Sequence, residues 1–128
     1  MDKFNPVGWF EIYVQDIDRA QKFYEEVLNI QLSPIEGSPE VTMKAFTSTS
    51  AMDKPGCTGA LVKMEGFSSG GGNSVLIYFI SEDCAVEQGR VEAAGGKVMK
   101  PKMSIGEHGF ISICTDTEGN AFGLHSMK

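Results

Sequence analysis

Asp116-Thr117-Glu118-Gly119-Asn120-Ala121-Phe122-Gly123-Leu124-His125 contains a turn, a strand and a candidate site within ten residues. The acidic segment bearing Gly119 and Asn120 forces a tight reversal, and the apolar alternation after it reads as an antiparallel strand returning into a core. A matching strand stands near the start, in Gly8-Trp9-Phe10-Glu11-Ile12-Tyr13-Val14-Gln15-Asp16. Its period of two puts Trp9, Glu11 and Tyr13 on one face and Phe10, Ile12 and Val14 on the other.

From this opening strand the chain runs into a predicted helix. Asp16 and Asp18 suit its N-terminus, with Gln21 three residues after Asp18 as in a capping box. Ile17, Ala20, Phe23, Tyr24, Val27 and Leu28 form an apolar stripe at helical spacing, and Asn29 is a left-handed terminator. Short extended pieces are expected at Gln31 to Ile35, Val41 to Thr47 and Gly59 to Met64, between Gly, Pro and Ser turns. The plan then repeats. Val75 to Ile80 is a continuous apolar strand, and Glu82-Asp83 opens a helix expected to reach about Ala94 and to close at Gly95-Gly96. Strands follow at Lys97 to Pro101, Phe110 to Thr115 and Ala121 to Ser126. A shift of 67 positions carries Asp16 onto Asp83 and Glu25 onto Glu92, and a shift of 63 carries Thr58 to Met64 onto Ala121 to Met127. The order of elements, rather than identity, carries the duplication. Between the copies, Ser68-Ser69-Gly70-Gly71-Gly72-Asn73 reads as a linker. A phosphate loop would need a helix after those glycines, and a strand follows them instead.

The chain has 128 residues, the size of one domain, with module one at 5–66, the linker at 67–73 and module two at 74–128. Eleven Lys and Arg against 17 Asp and Glu leave a net charge of -6, which argues against a nucleic-acid partner, although a local site can oppose the global sign. Cys57, Cys84 and Cys114 are far apart and odd in number, so they read as reduced, buried thiols rather than a disulfide framework or zinc cluster. The first residues lack the apolar core of a signal peptide, and no apolar run approaches membrane-spanning length, so a cytoplasmic location without membrane contact is expected.

Two βαβββ modules carrying the Trp9 to Asp16 motif, the Phe23-Tyr24 pair, Gly95-Gly96 and the Asp116 to Asn120 turn resemble the vicinal oxygen chelate superfamily. This is the group of glyoxalase, bleomycin-resistance and extradiol-dioxygenase proteins. The resemblance implies an α+β fold of curved mixed sheets around a cavity, helices outside, and a homodimer as the default assembly. In metal-dependent members, the first and last strand of each module each supply one His, Glu or Gln ligand to a divalent ion, which receives two vicinal substrate oxygens. Here those positions fall on Trp9, Leu76, near Ala60 and on Gly123, none of which can ligate a hard cation. No metal at that locus and no cofactor are therefore expected.

Two residues along from these positions, on the same strand faces, lie Glu11, Tyr78 and His125. Glu11 and His125 are candidate catalytic groups, as base or hydrogen-bond acceptor and as proton carrier. Trp9, Tyr78, His108 and Phe110 are candidate ligand contacts. The competing structural reading makes Glu11 a paired carboxylate, His125 a residue of a fraying end, His108 a solvated turn, and most of the aromatics core. The methionines serve as gap fillers. Three functions compete. The first is a small-molecule-binding protein without the standard metal site, by sequestration or metal-free proton chemistry. The second is a metal-dependent lyase or isomerase with relocated ligands at Glu11 and His125, and the third an interaction module with a filled cavity.

Overall fold

A computed structural model describes residues 5–36, 40–46, 56–66 and 74–128. The expected linker at 67–73 lies outside the described residues. The fold contains two compact units, Trp9–Val75 and Leu76–Lys128, the latter joined by Met1–Gly8.

In the first unit, β1 (Val7–Tyr13) runs parallel to β4 (Gly59–Met64), with Glu11 opposite Ala60 and Tyr13 opposite Val62. On the other side of β4, β3 (Val41–Ala45) is antiparallel, and β2 (Ser33–Ile35) is antiparallel to β3. The crossover from β1 is α1 (Ile17–Leu28). Its N-cap is Asp16, whose carboxylate accepts from the Arg19 amide at 3.0 Å, so Asp18 lies inside the first turn. The expected capping box at Asp18 and Gln21 is thus corrected: Gln21 donates to Glu25 at 3.1 Å instead. Asn29 does end the helix in the left-handed conformation, at φ 55°.

The apolar stripe of α1 divides. Ile17, Ala20 and Tyr24 pack with Leu32, Phe46 and Leu61, and with Phe10, Ile12 and Val14 of the opening strand segment. Phe23, Val27 and Leu28 instead remain more than half exposed. The face of β1 bearing Phe10 and Ile12 therefore meets the helix, leaving Trp9, Glu11 and Tyr13 on the opposite face. Leu61, wholly buried in this core, would cost about 2–5 kcal/mol on truncation to Ala.

The second unit repeats the order. β5 (Val75–Ile80) is parallel to β8 (Ala121–Ser126), β8 is antiparallel to β7 (Phe110–Thr115), and β7 to β6 (Lys97–Ser104). The helix α2 (Cys84–Val91) starts at the N-cap Asp83, which accepts from the Ala85 amide at 3.1 Å. Regular helix stops at Val91, three residues before the sequence expectation. The chain then tightens: Gly95 N–H donates to the Glu92 carbonyl and Gly96 N–H to the Val91 carbonyl, with Gly95 at φ 102°. These two bonds form a Schellman closure, so the glycine pair does terminate the helix. Phe79, Val91, Phe110 and Phe122 pack with buried Cys84, Cys114 and Leu124 beneath α2. Two cysteines are buried as expected, whereas Cys57 is exposed beside the left-handed Gly56. Met99, Met103 and Met127 are also exposed, so they are not core fillers.

The turn before β8 is built around Asp116. One carboxylate oxygen accepts from the Glu118 and Asn120 amides at 2.8 and 2.9 Å, the other from the Asn120 side chain at 3.2 Å, while Gly119 takes φ 83°. This is the reversal that the tetrapeptide required.

Candidate functional site

Glu11 is held from both sides by its own strand. Trp9 Nε1 donates to one carboxylate oxygen at 3.2 Å and Tyr13 Oη to the other at 2.6 Å. All three side chains share a face because they stand at i, i+2 and i+4. Opposite Glu11 in the ladder with β4 is Ala60, itself opposite Ala45, so on that side the carboxylate is flanked by methyl groups. The result is a carboxylate fixed on an aromatic wall, whose hydrogen-bond donors among the described residues are both neutral. Trp9 and Glu11 were legible from the alternation. Tyr13 was placed on their face but not counted with the site, although the same period of two identifies it.

In the second unit the corresponding ladder pair is Tyr78 opposite Gly123. Tyr78 is buried, and its ring lies so close to Gly123 that a Cβ there would overlap the Tyr78 Cδ1, Cε1 and Cγ atoms. Two residues on, Ile80 stands opposite His125, which on its other side faces Ile111 of β7. His125 Nε2 lies 2.6 Å from the carbonyl oxygen of His108. A carbonyl can only accept, so Nε2 carries the hydrogen, and a neutral His125 has its bare lone pair on Nδ1.

His108 contributes this carbonyl from a 3-10 turn, Gly106–His108, pinned by Gly109 N–H to the Gly106 carbonyl and by Ile105 N–H to the Gly109 carbonyl. Its imidazole points to water, 3.9 Å from the exposed Glu107 carboxylate, a pair worth little. Phe110 does not join His125. Its partner in the ladder is Ser126, which places it on the α2 side, where the Lys102 ammonium sits 4.8 Å above its ring. Lys102 also bonds Asp83 at 2.8 Å, which ties β6 to the start of α2.

The family's metal can be tested against these positions. At Gly123 a side chain of any kind would meet the Tyr78 ring, at Ala60 there is a methyl group, and Trp9 and Leu76 carry no oxygen or basic nitrogen donor. On β1, the Glu11 carboxylate already holds two donors. Among the described residues no three His, Cys, Asp or Glu side chains are grouped to hold an ion. The residues at these positions, in either unit, do not fit a divalent metal. No helix among the described residues is long and apolar enough to cross a membrane.

Comparison with known proteins agrees with the architecture. No curated protein matches. Among solved structures, a hypothetical protein from Bacillus halodurans superposes with a TM-score of 0.73 at 14% identity, covering 98% of this chain and 96% of that one. Methylmalonyl-CoA epimerase from Streptomyces coelicolor, in complex with 2-nitronate-propionyl-CoA, gives 0.65 at 15% identity, covering 97% and 98%. An uncharacterized protein from Methanosarcina mazei gives 0.60 at 15% identity, covering 99% and 95%. At such identities the likeness is one of fold. A family model matches residues 6–124, and the chain belongs to the Glyoxalase/Bleomycin resistance protein/Dioxygenase superfamily.

Proposed function

We propose that this protein is a small-molecule-binding member of its superfamily that captures its ligand without an ion at the family's metal locus. The observation that carries the reading is the Glu11 carboxylate, anchored at both oxygens by Trp9 and Tyr13 and without a charged partner among the described residues. A fixed, half-desolvated anion beside an indole and a phenol suits an amphipathic ligand bearing a cation or a hydrogen-bond donor. Binding such a ligand replaces lost hydration with a charge-assisted bond already oriented for it.

Sequestration is the simplest activity this arrangement supports. If a reaction takes place, Glu11 beside Trp9 is the proton-moving group of the first unit, and the bare Nδ1 of His125 is that of the second, where Tyr78 is the ligand contact. We assign the protein to the cytoplasm and to a homodimer; Phe23, Val27 and Leu28 of α1 favour pairing, since they form an exposed apolar stripe.

A thermal-shift screen with paired cationic and neutral aromatic compounds tests the proposal. Cationic members should raise Tm in the wild type and much less in Glu11→Gln. Equal shifts for cationic and neutral members, or unchanged shifts in the variant, would refute it. A coenzyme A thioester belongs in the screen, because an epimerase sharing the fold binds one.

A further inference from the structure

On the α2 side of the second unit, away from Tyr78 and His125, lies a cavity of about 460 Å³ between the end of the helix and the sheet. Its floor is apolar, made of Phe79, Phe122 and Leu124, with the two rings edge to face at 5.9 Å. Val91 forms one wall and Thr115 and Asp116 another. The volume falls in the range of small-ligand sites, and it opens because regular helix ends at Val91, short of covering the sheet.

The charges around this cavity are unevenly engaged. Glu87 and Arg90 both line it and stand three apart on α2, the spacing of a helical ion pair. They do not pair: Glu87 is diverted to Ser81 Oγ at 2.6 Å. Asp116 spends both oxygens on its own turn. Arg90 alone has no hydrogen bond or ion pair among the described residues. The helix carbonyls beside it, those of Arg90, Val91 and Glu92, are taken by the Ala94, Gly95 and Gly96 amides, which softens the negative end of the helix.

We infer that this cavity is a second ligand site, for a small carboxylate with an aryl or short alkyl body. The body lies on Phe79, Phe122 and Leu124, and the carboxylate reaches Arg90, whose planar fork can engage both oxygens. The overall charge of -6 does not oppose this, because both nearby acids are already hydrogen-bonded and the guanidinium is not.

The test is titration of ¹⁵N-labelled protein with 3-phenylpropanoate, its neutral amide and acetate. The inference expects saturable amide shifts at Arg90, Ala94, Gly96, Thr115 and Thr117 with 3-phenylpropanoate, and at least about tenfold weaker binding of the amide and of acetate. Arg90→Gln, at an exposed position, should weaken the carboxylate about tenfold and leave the amide unchanged. Ala94→Trp, also exposed, should block both by filling the mouth. Absence of saturation, shifts centred elsewhere such as on Tyr78 and His125, or Arg90→Gln binding like wild type would each overturn it.

Discussion

The ring of Tyr78 occupies the space that a side chain at Gly123 would need. This contact bears on the proposed function, because the resemblance to metal-dependent relatives puts a ligand position at Gly123. Gly123→Ala should therefore destabilise the protein by about 1–3 kcal/mol through overpacking, and Gly123→Ala combined with Tyr78→Leu should recover part of that loss. Urea unfolding of the two variants against wild type and Tyr78→Leu measures the coupling. Additive effects would show that the ring and the glycine do not constrain each other.

Glu11→Gln keeps the shape of the side chain, and Tyr13 Oη can rotate to accept where it formerly donated. Stability should change by less than about 1 kcal/mol, while affinity for a cationic ligand should fall about tenfold. Denaturation and calorimetric titration of the same preparation separate the two. A variant that unfolds would make Glu11 a structural carboxylate first.

His125 should be the Nε2–H tautomer when neutral, because the His108 carbonyl faces Nε2. Long-range ¹H–¹⁵N correlation spectra distinguish the two tautomers directly. Finding the hydrogen on Nδ1 would remove the bare nitrogen on which a proton-carrying role depends.

Three carboxylates, Asp116, Glu25 and Asp83, are held below the ordinary carboxylate range and should shape the acid limb of stability. Asp116 is lowered chiefly by the Asn120 amide and side chain, Glu25 by the Leu32 amide and then Gln21, and Asp83 by Lys102 and then the Ala85 amide. A group with a depressed folded pKa contributes above its unfolded value and loses that contribution as pH falls through the folded one. Stability should accordingly be level near neutrality and decline as pH drops below the ordinary carboxylate range. In Asp116→Ala the decline should be shallower; an equally steep limb would remove Asp116 from the account.

The sequence carried much of this because local chemistry and tertiary fold agree along most of the chain. Glu11 and Trp9 share a face by alternation, Asp116 to Asn120 makes its own turn, and Asn29 and Gly95-Gly96 end the helices that precede them. Asp16 and Asp83, related by the shift of 67, are both N-caps. The shifts of 67 and 63 also meet in one ladder position, taking Glu11 and Ala60 to Tyr78 and Gly123. What escaped depends on partners distant in sequence. Helical spacing could not divide Ile17 and Tyr24 from Phe23 and Val27, since both sets are apolar and only the sheet beneath α1 chooses between them. The carbonyl of His108 reaches His125 across 17 residues, and no side-chain pattern encodes a backbone acceptor. Phe110 was one residue out of phase with the ligand-facing side, a distinction set by its register against Ser126.

Elemental analysis of protein purified without chelator, followed by calorimetric titration with Mn²⁺, Co²⁺, Ni²⁺ and Zn²⁺, tests the central claim most directly. The account predicts well under one ion per chain and no saturable tight binding, because Trp9, Ala60, Leu76 and Gly123 offer no ligands and Tyr78 fills the space at Gly123. About one tightly held ion per chain, released by Glu11→Ala or His125→Ala, would contradict it and make the protein a metal-binding member with relocated ligands.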